Sequence, residues 1–168
     1  ASQVNALNLA AKTTGSGNID VKTTSGTLNV ASVNGINGVT SAGTGSITLD
    51  GTSGSGVGLN IAAQTIASGT GKITLKGTSI GINGTGLNIA ANITGNGDVE
   101  LTGTTTANNR TAGTFAGVTN AGTVSAKNIT LTALASDTTA DVLGYYGAGG
   151  SLIATNNLTA NAESKGAG

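Results

Sequence analysis

Gly58-Leu59-Asn60-Ile61-Ala62-Ala63 recurs word for word 28 residues later as Gly86-Leu87-Asn88-Ile89-Ala90-Ala91. Weaker copies stand upstream as Leu7-Asn8-Leu9-Ala10-Ala11 and Leu28-Asn29-Val30-Ala31. A second word, Gly-x-Gly-x-apolar-x-apolar, alternates with the first. It reads Gly17 to Val21, Gly45 to Leu49 and Gly71 to Leu75, then Gly95 to Leu101 with one extra residue, and Asn128-Ile129-Thr130-Leu131 echoes it. From Ile19 to Ile47 is 28 residues, and the next two steps, to Ile73 and Val99, are 26 each. Self-similarity at such a period is the mark of a stacked-repeat architecture.

Each word carries an apolar-x-apolar triplet, the period of a strand with one buried face. No i, i+3, i+4 stripe occurs, and Gly at this density disfavours helix. Gly, Asn, Ser and Thr between the triplets supply tight turns. An antiparallel sandwich would use strands of this length too, but it favours an aromatic core and has no need of repeating words. Stacked coils do need them, because equivalent residues then form ladders about 4.8 Å apart. The expected fold is all-β, a parallel β-helix (β-solenoid) with coils of about 26–30 residues. A flatter roll with coils of half that length is the other option.

The expected stacking core is Leu59 over Leu87, Ile61 over Ile89, and the column pairs Ile73 with Val99 and Leu75 with Leu101. Asn60 over Asn88 is read as an inward column, bonded along the stack. Ile73-Thr74-Leu75 and Ile80-Gly81-Ile82 are expected as two further sides of the coil. Lys22, Asp50 and Lys76 fall at one outward position of successive coils, so opposite charges alternate along a ladder, as adjacent strands prefer. The repeats are expected over residues 1–133, with an insertion at about 103–123. An atypical terminal repeat or cap follows over 134–161, then a flexible tail over 162–168.

Composition bounds the chemistry. The chain has 168 residues, 29 of them Gly, with 8% charged, 2% aromatic and no Pro, Cys, Met, Trp or His. Only Phe115, Tyr145 and Tyr146 could fill a globular core with rings. Disordered chains combine low hydrophobicity with high net charge, whereas this one is neutral and 37% hydrophobic. Without His or Cys there is no ordinary zinc site and no thiol nucleophile. Zero net charge without a basic cluster argues against nucleic acid. The longest apolar runs are too short to span a membrane. No cofactor is expected. The chain starts at Ala1 without a leader and is expected to be a piece of something longer.

The words Gly58 to Ala63 and Gly71-Lys72-Ile73-Thr74-Leu75-Lys76-Gly77 resemble the repeat tracts of filamentous-haemagglutinin-like exoproteins, the adhesins exported by two-partner secretion. The resemblance covers residues 1 to about 131. It implies a right-handed β-helix, a secreted or bacterial outer-surface location, and roles in adhesion, aggregation or biofilm. The amino-terminal secretion domain of that family is not identified here.

Candidate sites are few. Gly95-Asn96-Gly97-Asp98-Val99-Glu100-Leu101 is similar to calcium-binding Gly-rich nonapeptides. Such sites need a carboxylate at every turn, but the matching copies carry Asn18 and Lys72 near the Asp98 position. Five Asn-x-Thr sequons, at Asn83, Asn92, Asn109, Asn128 and Asn157, are candidate glycosylation sites. A chain this rich in Asn and Thr also makes sequons by chance. Catalytic carboxylates of glycan-cleaving β-helices cluster on one face, while Asp20, Asp50, Asp98 and Glu100 are spread among coils. Asp137 and Asp141 are the one close pair outside the repeats. Thr102-Gly103-Thr104 and Thr104-Thr105-Thr106 do not recur at the repeat spacing, so a regular ice-binding Thr rank is not expected. No enzyme activity is expected. Tyr145 and Tyr146 are the candidate contact residues. The expected role is a stiff stalk in a surface protein, its partners the surface of a host or neighbouring cell. The alternative is a complete subunit that assembles end to end with itself into a filament.

Overall fold

The computed structural model describes residues 6–67, 69–81, 84–106, 115–137 and 142–166. Among these there is no helix, and the parallel strands stack as a β-solenoid of about five turns. Each coil supplies three sides. The first coil holds β1 (Ala6–Leu9), β2 (Ala11–Thr13) and β3 (Ile19–Thr23). The second holds β4 (Thr27–Val30), a side hairpin of β5 (Ser32–Val33) and β6 (Ile36–Asn37), then β7 (Val39–Ser41) and β8 (Ile47–Ser53). The third holds β9 (Leu59–Ile61), β10 (Thr65–Ala67) and β11 (Ile73–Ser79), and the fourth β12 (Leu87–Ile89), β13 (Ile93–Gly95) and β14 (Asp98–Thr106). In the fifth, β15 (Ala116–Asn120) is followed by β16 (Thr123–Ser136), one long strand that turns the corner between two sides. β17 (Leu143–Gly147) and β18 (Ser151–Lys165) repeat that arrangement in the last coil.

The first side is a 6-stranded sheet in the order β1-β4-β9-β12-β15-β17. The other two sides form one continuous sheet because β16 bridges them, pairing β13 through Val124 and β14 through Ile129. Register follows the words. Ile47 pairs with Ile73 and Ile73 with Val99, and Leu59 pairs with Leu87. The coil is therefore the full repeat and not half of it.

Alternation in β11, buried at Ile73, Leu75, Gly77 and Ser79, sends one residue in two to the interior. The eight expected core residues, Leu59, Ile61, Ile73, Leu75, Leu87, Ile89, Val99 and Leu101, are all 0–1% exposed. Burying columns of Ile and Leu is the main driving force available to a chain nearly without rings; each such side chain contributes about 1.5–3 kcal/mol.

At one corner the interior narrows to backbone width. Gly77 and Gly86 face each other there, and a Cβ on Gly77 would overlap the carbonyl of Gly86. Gly51, Gly77 and Gly103 hold this place in successive coils, and Ala133 takes it in the fifth. Beyond the glycines the inward hydroxyls of Ser53, Ser79 and Thr105 donate to the turn carbonyls of Ser55, Gly56 and Gly84 at 2.6, 2.7 and 2.9 Å.

Several expectations change. Ile80 is not on a side: β11 ends at Ser79 and Ile80 is 58% exposed, in the turn; Ile82 lies outside the described residues. The remaining side is instead β2, β7, β10 and β13, with β16 and β18 beyond. The asparagine column points outward, because it sits between the two inward residues of each triplet. Residues 103–106 continue β14, and the ladder crosses 133/134 without a break to end at Lys165. Residues 162–165 are thus strand rather than tail, held by pairing with Ala133–Ser136.

The coil also widens along the stack. The third side is five residues in β3, seven in β8 and β11, and nine in β14. The same nine positions carry on through Asn128–Ser136 and Asn157–Lys165.

Candidate functional site

The outward surface is built of ladders. On the first side Asn88 donates to Asn60 (2.7 Å), Asn60 to Asn29 (2.8 Å) and Asn29 to Asn8 (2.7 Å), each through Nδ2 to Oδ1. The same column ends in Thr119 and Tyr146. On the third side Asp50 Oδ2 lies 3.2 Å from Lys22 Nζ and 4.0 Å from Lys76 Nζ, the alternation expected from sequence. Lys72 pairs with Glu100 of the following coil at 2.5 Å. All three lysines are about half exposed or more, so these pairs fix register more than they add stability.

Threonine columns lie beside the charges. Thr48 stacks on Thr74, Thr52 on Thr78 and Thr78 on Thr104, and Thr102 on Thr132. Single threonines stack, but neither Thr102-Gly103-Thr104 nor Thr104-Thr105-Thr106 has a Thr-x-Thr partner in an adjacent coil, as expected from sequence. Leu134, Glu100 and Asp50 interrupt the array.

The candidate contact tyrosines sit together in β17 but point apart. Tyr145 extends the inward column above Val118, with its Oη 3.3 Å from Asn120 Nδ2, while Tyr146 faces out, 40% exposed. Of the described sequon asparagines, Asn128 and Asn157 are register partners in adjacent coils, while Asn92 stands apart between β12 and β13. Asn83 and Asn109 lie outside the described residues. Asn92 is exposed and its Oδ1 accepts from the Thr123 amide at 3.0 Å. Asn128 is committed at both ends: its Nδ2 donates to Asp98 at 2.7 Å and its Oδ1 accepts from Asn156 at 2.8 Å. Asn157 is exposed within β18.

Asp98 spends one carboxylate oxygen on Asn128. Among the described residues no three of His, Cys, Asp and Glu gather as metal ligands would. Asp137 is buried, its amide donating to the Lys165 carbonyl at 2.9 Å, and Asp141 lies outside the described residues. A groove of about 180 Å³ runs over the far end of the third side, between Thr104, Leu134, Ser136 and the Glu163–Lys165 ion pair. Its lining combines hydroxyls, the aliphatic Leu134 and Ala135, and that ion pair.

Fold and surface together define a β-solenoid repeat protein whose outward faces are polar ladders. No family model, no curated protein and no solved structure matches the chain.

Proposed function

We propose that the chain is a structural segment of a bacterial surface or secreted protein, a stiff stalk that holds a binding region away from the cell in adhesion, aggregation or biofilm. The right-handed β-helix of filamentous-haemagglutinin-like adhesins, which its words resemble, is the architecture this reading adopts. The observation that carries it is the unbroken in-register stacking of short polar-faced coils. Every coil is tied to the next by three parallel ladders, so bending the rod means stretching backbone hydrogen bonds along its length. Among the described residues, the Asn, Thr and alternating-charge faces stay hydrated and offer no broad apolar patch along the shaft.

The alternative is a subunit that polymerises head to tail. Immunogold electron microscopy of the cells that make the protein tests the stalk reading. Label at a distance from the outer membrane supports it; label confined to the cell interior overturns it.

A further inference from the structure

The third side is the broadest face of the shaft, seven residues wide in β8 and β11 and nine in β14, against three in β9, β10, β12 and β13. Two outward columns run up its middle, and strand register places their residues coil by coil. One reads Asp20, Thr48, Thr74, Glu100, Thr130 and the other Lys22, Asp50, Lys76, Thr102, Thr132. In these five coils the two columns never carry like charges at one level. Where one holds a charge, the other holds the opposite charge or a hydroxyl. Asp20 is exposed and, among the described residues, has no cation of its own chain within ion-pair distance.

We propose that this face is the docking surface for the same face of a second copy, with the two shafts parallel and side by side about a two-fold axis. The axis runs along the stack between the two columns, so it exchanges them and keeps each coil level with its own copy. Asp20 then faces the copy's Lys22, Thr48 faces Asp50, Thr74 faces Lys76, and Glu100 faces Thr102. The flanking charges meet hydroxyls, Lys72 facing Thr78 and Asp98 facing Thr104. Each contact is made twice, and none opposes like charges.

Area makes the second argument. At about 3.3 Å per residue and 4.8 Å per coil, the roughly five turns of this side cover about 25 by 24 Å. Covering it on both copies removes about 1,200 Å², above the roughly 1,000 Å² that a specific interface needs. Register makes the third. Turned antiparallel, each column faces itself, and sliding the copies brings Asp20 onto Glu100, Lys76 onto Lys76 or Glu100 onto Glu100 in different registers. The antiparallel register that sets the second coil on the fifth escapes these clashes but leaves Asp20 facing Thr159, with no cation. The parallel pair has a single register and gives Asp20 its partner. The face runs along the shaft, so further coils at either end would extend it rather than cover it. The inference goes beyond the stalk reading and does not rest on it.

One substitution, made in two neighbouring coils, separates the arrangements. Thr48→Lys sets a cation opposite the copy's Asp50, whereas Thr74→Lys sets one opposite the copy's Lys76. Within its own chain each has a carboxylate next to it in the column, Asp20 for Thr48 and Glu100 for Thr74. Sedimentation equilibrium over a concentration series measures dimerisation of the wild type and both variants, with urea unfolding as the check that they fold. The expected result is a wild-type dimer that Thr48→Lys tightens and Thr74→Lys weakens, each by at least about threefold, because every change acts twice across the axis. The chain has no Cys, so introduced thiols report position. Thr48→Cys and Thr132→Cys chains, mixed and treated with a short bismaleimide, are expected to link only like to like, since the second and fifth coils stay three coils apart. A monomer at every concentration would overturn the inference. So would a dimer that Thr48→Lys leaves unchanged or weakens, a result that stands whether or not Thr74→Lys folds. Crosslinks mainly between Thr48→Cys and Thr132→Cys chains would show antiparallel docking and overturn it as well.

Discussion

Replacing Ile73 by Ala tests how the column core stabilises this fold. Ile73 is fully buried between Ile47 below and Val99 above, in the middle of the stack. The substitution removes three carbons, about 2.4 kcal/mol of transfer free energy at roughly 0.8 kcal/mol each. Its neighbours are held in place by ladders on both sides, so the void collapses poorly and adds about 1 kcal/mol more. The expected total is about 3–4 kcal/mol. Ile19→Ala deletes the same atoms from the same column, but Ile19 is already 7% exposed and has a strand on one side only. The end coil can fray without unfolding the rest, as nearest-neighbour stacking predicts, and the expected cost is about 1–2 kcal/mol. Urea unfolding followed by far-ultraviolet circular dichroism measures both. Equal costs at the two positions, or a cost below about 1.5 kcal/mol at Ile73, would refute the reasoning.

Three further substitutions probe other parts of the account by the same unfolding assay. Gly77→Ala drives a methyl group into the Gly86 carbonyl and is expected to cost more than about 2 kcal/mol, whereas Gly54→Ala, where a Cβ meets nothing within 4 Å, is expected to be near neutral. Thr65 is fully buried with its hydroxyl unpartnered, stacked between Val39 and Ile93, so the isosteric Thr65→Val is expected to stabilise by about 1 kcal/mol; destabilisation would reveal a partner for that hydroxyl. Asp50→Asn removes the negative charge shared by Lys22 and Lys76 and is expected to cost about 1 kcal/mol or less, with the difference from wild type shrinking in 1 M salt.

What could be read from sequence depended on whether the interior demanded recurring side chains. The first and third sides did: Leu-Asn-Ile and Ile-Thr-Leu place two large aliphatics inward per strand, and that demand repeats as words. The second side did not. Its inward column runs Ala11, Val39, Thr65, Ile93, Val124, Leu152, one position of mixed size that no word marks. Ile80-Gly81-Ile82 therefore looked like the missing side, although Ile80 stands in a turn. The β5–β6 hairpin was written locally as Asn34-Gly35, both with positive φ, the pair that a two-residue turn favours. The outward direction of the asparagine ladder follows from period 2 once its neighbours are known to be buried. Beyond about residue 103 the words fail while the ladder continues, because Val118, Tyr145 and Ala133 satisfy the same columns with different residues. Asn128 and Asn157 are register partners in adjacent coils, which their unequal surrounding words hid, while Asn92 stands apart and the two tyrosines point apart.

Stacking in register is the central claim, and spin-label distances along one outward column test it most directly. Asp20, Thr130 and Thr159 occupy one column of the third side, with Thr130 four coils from Asp20 and Thr159 five. Cysteine pairs Asp20→Cys/Thr130→Cys and Asp20→Cys/Thr159→Cys, labelled with nitroxides, are measured by pulsed electron paramagnetic resonance. At about 4.8 Å per coil, the account predicts narrow distributions near 19 and 24 Å before any common label offset, separated by one strand spacing. Broad distributions, or two distances that do not differ by that single step, would contradict it.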